Sequence, residues 1–185
     1  MTSDKPWHFQ MTHQRTIAAP PEVVWRALME IRMADLPMVG ALLGIRRLPA
    51  RLAGREGTPA KTTLYAMAMN SHFGVLDEDS PRTLRLAKIA RFWQIVPKNG
   101  PIVSSEAEFD AFTEPGYAKV ITSFEFVPTA GGTRVTTGTW VRANDERSRR
   151  KFTPYWMFIK PAASAIRVQI LTAIQRRAVA LAKTA

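Results

Sequence analysis

Three basic side chains interrupt apolar faces of predicted strands, and they are the first candidates for chemistry. His13 and Arg15 share one face of a strand over 7–17, and Lys88 interrupts a second strand. Their apolar neighbours on these two faces are Phe9, Met11 and Ile17, and Leu84, Leu86, Ala90 and Phe92. A cation in such a place could pair with a carboxylate, phenolate or enolate, and a histidine that titrates near neutrality could move a proton. The alternative is that each polar end reaches water, or that a bulge turns the side chain outward.

Three acids alternate with apolar residues further along the chain. Glu106, Glu108 and Asp110 would share one face of a strand predicted over 103–113. Two carboxylates can divide acid and base work between them, but three buried acids without assured partners would be costly. We therefore expect an acidic ladder that faces solvent beside Arg85 or Arg91.

Other chemistries lack the residues that they need. The chain has no cysteine, which excludes disulfides, thiolate metal sites and a thiol nucleophile. His8 and His13 fall on opposite faces of one strand and His72 is distant, so the histidines lack metal-binding spacing. No GxSxG motif or glycine-rich phosphate loop occurs. The sequence predicts no metal and no cofactor, and it does not support a hydrolase or a nucleotide-dependent enzyme.

Two periodicities predict the elements that position these residues. A period of two over 7–17 predicts a strand, and Pro20 and Pro21 end it and begin a helix with an apolar stripe from Val24 to Ile31. A second short helix is predicted from Val39 to Ile45. Five further strands, separated by turns, are predicted over 61–77 with a break near residue 70, 83–95, 103–113, 117–127 and 133–143. Consecutive hairpins of this kind indicate an antiparallel meander.

The C-terminal part of the chain is predicted to be a long amphipathic helix. Apolar residues recur there every three or four positions after a predicted N-cap at Asn144. Pro154 and Pro161 each remove a helix hydrogen bond, so we expect a separate first turn over 145–152 and a kink near residue 161.

Most of the positive charge lies in this predicted helix. The formal net charge is +11 at neutral pH, and the segment from Arg147 to Ala185 carries nine bases and no acid. Such a concentration could attract anionic lipid headgroups, or it could be a solvated helix face. No nucleic-acid-binding module is recognisable, so nucleic acid is not an expected partner.

Length and hydropathy suggest one domain over 1–185, because a chain of 185 residues can bury a single core. The first sixteen residues lack the apolar stretch of a signal peptide. The longest apolar stretch, Met38–Ile45, is far shorter than the ~20 residues that span a bilayer. We expect no transmembrane helix and a cytoplasmic location.

The order of elements, together with three sequence segments, resembles the SRPBCC superfamily, also called START-like or helix-grip proteins. The segments are Ile17–Trp25 with the sequence IAAPPEVVW, Phe73–Leu76 through Ala90–Trp93, and Glu114–Lys119. The resemblance is to the polyketide cyclase/dehydrase-like and lipid-transport branch. It implies an α+β helix-grip fold, in which a curved antiparallel sheet wraps around one long C-terminal helix, with two short helices after the first strand. It also implies an apolar cavity between the sheet and that helix.

Inward strand residues and one stripe of the helix are the candidates for lining this cavity. The apolar candidates are Met11, Tyr65, Met67, Met69, Phe92, Phe124, Phe126, Phe152, Trp156 and Ile159. His13, Arg15 and Lys88 are the polar candidates. Methionine can adapt to ligands of different shape, although the same residues could simply pack against one another as core.

Three functions are consistent with this interpretation. The first is binding of a small hydrophobic or aromatic ligand, which could be anionic, in the cavity. The second is a polyketide cyclase- or dehydratase-like enzyme in which His13 or Lys88 would transfer protons. The third is lipid transport, with the basic C-terminal helix docking on anionic membranes. The fold alone does not select among them, because one scaffold carries many activities.

Overall fold

A computed structural model describes residues 6–40 and 61–183. The strands are β1 (Phe9–Ile17), β2 (Gly74–Asp79), β3 (Thr83–Ala90), β4 (Ala118–Thr129) and β5 (Gly132–Ala143). The α-helices are α1 (Pro21–Glu30), α2 (Leu64–Asn70), α3 (Glu106–Ala111) and α4 (Glu146–Ala182), and a 3-10 turn spans Met33–Asp35. The second short helix predicted over 39–45 lies largely outside the described residues.

The five strands form one antiparallel sheet in the order β1-β5-β4-β3-β2. β2 to β5 follow one another as a meander, and β1 closes the order by pairing with β5 along its whole length, from Phe9↔Val141 to Ile17↔Thr133. The β4–β5 hairpin pairs without interruption from Ala118↔Ala143 to Thr129↔Gly132. This long hairpin supplies the centre of the surface on which α4 lies.

α4 packs against this sheet at both of its ends. Its C-terminal half, through Ile170 and Ile174, joins a core cluster with α1, β4 and β5. Its N-terminal half, through Phe152 and Trp156, joins a separate cluster with Met11 and strand residues at the other end of the sheet. An antiparallel sheet with one long C-terminal helix across it is the α+β helix-grip fold that the sequence predicted.

The length and hydropathy of α4 would also allow a membrane span. It is the one helix in the described ranges that passes this test, and its most apolar window has a mean hydropathy of 1.3. The core helix of a soluble protein passes the same test. In this chain both ends of α4 pack on the sheet.

The strand predicted over 103–113 and the first part of the strand predicted over 61–77 are short helices instead, whereas residues 74–77 belong to strand β2. Residues 64–70 form α2, because the Thr63 hydroxyl caps it by accepting a hydrogen bond from the Ala66 N–H and because Leu, Met and Ala favour helix. Residues 106–111 form α3, which the Ser105 hydroxyl caps through the Glu108 N–H. An apolar–polar alternation over so few residues does not separate strand from helix.

The prediction of an acidic ladder on a strand is therefore also wrong, because these residues form α3. On α3, Glu106 pairs with Arg85 of β3, and Asp110 pairs with the buried Arg142 of β5. Two of the acids thus tie α3 to the sheet, and the third, Glu108, accepts from the backbone N–H of Ser104 on the protein surface.

The long helix begins one residue later than predicted and is continuous. Its N-cap is Asp145, whose carboxylate accepts from the Ser148 N–H at 2.8 Å. Pro154 and Pro161 lie inside one uninterrupted helix, so the separate first turn over 145–152 is not found. Both prolines are exposed, and water can solvate the carbonyl groups that lose their helix partners there.

Candidate functional site

A cavity of about 340 Å³ lies between α4 and the sheet. Its wall is predominantly apolar. From the sheet, the lining residues are Met11 of β1, Leu84 and Leu86 of β3, Val120, Thr122 and Phe124 of β4, and Thr139 and Val141 of β5. From α4 they are Phe152, Tyr155, Trp156, Ile159, Ala163, Ile166, Arg167 and Ile170. The others are Leu28 of α1, Val39, Phe73, Phe92, and four residues of α2, which are Leu64, Tyr65, Met67 and Ala68. Ligand pockets are typically of this kind, with volumes of about 300–1,000 Å³.

Small side chains in the middle of α4 leave this space open. Residues 162–165 are Ala, Ala, Ser and Ala, and they lie between the two core clusters that the ends of α4 form. The sheet opposite also carries small residues, because Thr122 and Thr139 are direct cross-strand partners on β4 and β5. Apart from Arg167, which reaches across to these two threonines, both surfaces present small side chains to the gap between the clusters.

Aromatic rings close one end of the cavity. Phe152 and Trp156 of α4 are stacked with centroids 6.0 Å apart, and Phe92 meets Phe152 edge-on at 6.2 Å. Phe9 packs against both α4 rings, with centroid distances of 5.1 Å to Phe152 and 5.8 Å to Trp156. Such tilted and stacked pairs fix the ring positions, so this end of the cavity is a preformed aromatic wall.

Among the described residues, one basic side chain lines the cavity, Arg167 of α4. Its guanidinium donates to three hydroxyl oxygens on the sheet, those of Thr139 at 2.6 Å, Thr137 at 2.8 Å and Thr122 at 3.1 Å. It also lies 5.7 Å from the centroid of the Phe124 ring. Burial lowers the pKa of Arg167 to about 10, so the group is still cationic at neutral pH.

No carboxylate of the described residues balances the charge of Arg167. Within residues 6–40 and 61–183 it forms no ion pair. Threonine hydroxyls are neutral acceptors, and a desolvated cation without a counter-ion is unfavourable. The site therefore combines an apolar volume with one fixed positive charge.

The other lining group with a shifted pKa is Tyr65 of α2. Its hydroxyl donates to the Glu78 carboxylate at 3.2 Å. Burial, and then the neighbouring Glu78 charge, raise the pKa of this phenol above its usual value. Tyr65 is therefore protonated at neutral pH and can act in the cavity only as a hydrogen-bonding group or an apolar surface.

The structure brings eight of the predicted site residues together in the lining. They are Met11, Tyr65, Met67, Phe92, Phe124, Phe152, Trp156 and Ile159. Met69 and Phe126 lie outside it and pack in the core cluster formed by the C-terminal half of α4.

The three polar candidates also lie outside the cavity lining. His13 and Arg15 do project from β1 toward α4, but the helix covers them. The His13 Nε2 atom is 2.7 Å from the Ser164 hydroxyl oxygen, and Arg15 donates to the side chains of Thr172 and Gln175. Lys88 donates to the Ser71 carbonyl oxygen at 2.6 Å.

Arg167 and its threonines are the site residues that sequence analysis missed. The signal was present in the helix spacing, since Arg167 is four residues after Ala163 and three before Ile170, and both of these face the sheet. Because Arg167 was counted only as one of the nine bases of the C-terminal segment, its place on the sheet-facing side of the helix was overlooked. No group of three or more histidines and acids in the described ranges could hold a metal ion.

Comparison with known proteins finds solved structures that are similar to this chain at low sequence identity. No family model and no curated protein matches the chain. A solved structure from Mesorhizobium loti is 15% identical, with 91% of this chain and 96% of that chain covered and a TM-score of 0.38. A protein from Thermus thermophilus is 12% identical, with 94% of this chain and 99% of that chain covered and a TM-score of 0.36. CalU16 from Micromonospora echinospora is 12% identical, with 94% of this chain and 86% of that chain covered and a TM-score of 0.31. At these TM-scores, the description of the fold rests on the strand order and the helix of this chain.

Proposed function

We propose that this protein binds a small hydrophobic or aromatic molecule in the cavity between α4 and the sheet. The observation that carries the proposal is a cavity of about 340 Å³ whose wall is predominantly apolar and includes Arg167 with Thr122 and Thr139. Burying apolar ligand surface there would contribute about 25 cal/mol per Å² before the costs of association. The proposal includes the single domain and the cytoplasmic location that the sequence predicts.

Binding is favoured over a cyclase- or dehydratase-like reaction by where the candidate proton-transfer groups lie. His13 contacts Ser164 beneath α4, and Lys88 contacts the backbone of Ser71. Neither belongs to the cavity lining. A general acid or base must come within hydrogen-bonding distance of the substrate proton, and these two placements do not provide that.

Two probes of the same shape test the proposal. Isothermal titration of the full chain with naphthalene-2-carboxylic acid and with naphthalene-2-carboxamide should show binding of at least one of them at a stoichiometry near unity. Ala163→Phe places a ring in the cavity and should weaken that binding about tenfold or more. Ala162→Phe adds the same ring at a neighbouring residue outside the lining and should leave the affinity within about twofold.

The proposal would be wrong if neither probe, and neither member of the aliphatic pair decanoic acid and decanamide, bound at millimolar concentration. It would also be wrong if Ala163→Phe, shown to be folded by circular dichroism, bound as tightly as the unmodified chain.

Lipid transport is a second candidate, and one surface feature favours it. Met157 and Phe158 are 72% and 88% exposed on α4, next to Trp156 and Ile159, which line the cavity. The basic residue Lys160 is exposed on the same segment. Exposed apolar side chains beside bases are typical of surfaces that dock on anionic membranes.

Vesicle sedimentation distinguishes this candidate from simple binding. Vesicles of phosphatidylcholine with phosphatidylglycerol should bind the protein more strongly than phosphatidylcholine alone, and added salt should weaken the binding. Phe158→Ser should reduce it, whereas Val168→Ser, at another exposed apolar position of α4, should not. Binding that ignores anionic lipid and salt would contradict the transport function and leave the ligand-binding proposal intact.

A further inference from the structure

The position of Arg167 in the sheet register suggests what kind of ligand the cavity takes. Thr122 of β4 and Thr139 of β5 are paired directly opposite each other, and Thr137 is on the same face of β5, two residues away. Arg167 reaches this three-threonine group from the middle of α4. The guanidinium is therefore fixed between helix and sheet at the polar part of an apolar cavity.

The threonines satisfy only part of the hydrogen-bonding capacity of Arg167. A guanidinium has five N–H donors. Here Nη2 donates to Thr122 and Thr139, and Nη1 donates once, to Thr137. The N–H of Nε and the second N–H of Nη1 have no acceptor among the described residues.

Thr137 holds Arg167 from the sheet and does not itself line the cavity. Its hydroxyl is buried and donates to the Ser123 carbonyl oxygen at 2.9 Å while it accepts from Arg167. This bond holds one acceptor in place whether or not a ligand is present. Arg167 is thus held from the sheet side and has donors left over.

We propose that Arg167 receives the carboxylate of the ligand, so that the cavity takes hydrophobic carboxylic acids, with the anionic group at Arg167 and the apolar part against the aromatic wall. This rests on the proposed function. An anionic oxygen would supply both the acceptor and the negative charge that the described residues do not provide. Charge-assisted hydrogen bonds of this kind are about twice as strong as neutral ones.

The same two titration probes separate this inference from the proposed function. Naphthalene-2-carboxylic acid and its carboxamide are nearly identical in shape and differ in charge. The unmodified chain should bind the acid about tenfold or more tightly than the amide. Arg167→Met should lose this preference by weakening the acid about tenfold and changing the amide by less than about threefold.

Two further variants make the test specific. Arg176→Met removes the same charge from an exposed position of α4, and it should leave both affinities unchanged. Arg167→Lys retains a charge without the guanidinium and should bind the acid at an affinity between those of the unmodified chain and Arg167→Met. It also keeps the inference testable where Arg167→Met does not fold. Decanoic acid and decanamide, run in parallel, distinguish an aliphatic from an aromatic carboxylic acid.

Each outcome has one meaning. A preference for the acid in either pair that is lost in Arg167→Met, or reduced in Arg167→Lys, supports the inference. Equal binding of acid and amide by the unmodified chain, or an acid preference that persists in Arg167→Met, overturns the inference and leaves the proposed function standing. Binding of none of the four probes overturns both.

Discussion

The guanidinium of Arg167 lies 2.6 Å from the hydroxyl oxygen of Thr139, which joins α4 to β5 across the cavity. Both residues belong to the cavity lining. On either side of this contact, the large side chains of the two core clusters fill the space between the helix and the sheet. Between the clusters, the helix carries Ala163 and the sheet carries Thr122 and Thr139. The contact therefore holds the two surfaces in register without filling the space between them.

Arg167→Met should stabilise the protein in the absence of ligand. It removes a desolvated cation that has no carboxylate partner within residues 6–40 and 61–183, and methionine can fill part of the cavity. We expect the free energy of unfolding to rise by about 1–3 kcal/mol, because sites kept for ligand binding commonly reduce stability. Urea unfolding measures this change.

Lys160→Met is the matched control for that prediction. It removes a charge from an exposed residue of the same helix, so it should change the free energy of unfolding by no more than about 0.5 kcal/mol. A loss of stability in Arg167→Met larger than about 1 kcal/mol would mean that Arg167 serves mainly to hold α4 on the sheet through its three hydroxyl partners.

Ser164→Ala should reduce stability and leave ligand affinity unchanged. The Ser164 hydroxyl is the partner of His13 Nε2, and the buried His13 Nδ1 atom has no partner in the described part of the chain. Loss of the hydroxyl should cost about 1–2 kcal/mol in urea unfolding. Because neither residue lines the cavity, the affinity for either naphthalene probe should stay within about twofold. A large loss of affinity would bring His13 back as a ligand-binding group.

Asp145→Asn should destabilise the protein at neutral pH and have little effect in acid. Although burial works to raise it, the pKa of the Asp145 carboxyl is lowered overall by hydrogen bonds from the Gly116 N–H and from the hydroxyl and N–H of Ser148. A carboxyl whose folded-state pKa is depressed stabilises the fold above its unfolded pKa, near 3.8, and this contribution is lost as the pH falls through the folded value.

Melting curves over a range of pH measure this effect. Asp145→Asn should lower Tm by roughly 2–6 °C at neutral pH, and the difference from the unmodified chain should shrink below about pH 3–4. Glu125→Gln, at an exposed position of β4, should leave Tm nearly unchanged throughout. A difference for Asp145→Asn that is independent of pH would contradict the role assigned to its ionised carboxylate.

The fold could be predicted from the sequence where one periodicity runs for many residues. Strand β1, the β4–β5 hairpin and α4 are long enough for a period of two or of three to four residues to be unambiguous. α2 and α3 have only seven and six residues. Over such lengths the alternation of Tyr65 and Met67 also fits a strand, and the capping residues Thr63 and Ser105 were the better signals.

The site could be predicted only in part, for a different reason. Aromatic and methionine side chains on inward faces were found from periodicity, and most of them line the cavity. Arg167 was grouped with exposed bases of its segment, because charge alone does not show which base faces the sheet. Its contact with Thr122 and Thr139 depends on how α4 crosses the β4–β5 pair, and neither local pattern specifies that crossing.

The most direct test of the account is whether a hydrophobic acid enters the space between α4 and the sheet. Methyl-selective nuclear magnetic resonance of the full chain, titrated with naphthalene-2-carboxylic acid, reports this position by position. We predict saturable shifts at the lining methyl groups of Leu86, Val120, Ile166 and Ile170, and no shifts at the exposed methyl groups of Ile95 and Ile102. Unchanged lining methyl groups at millimolar probe, or shifts confined to exposed residues, would contradict it.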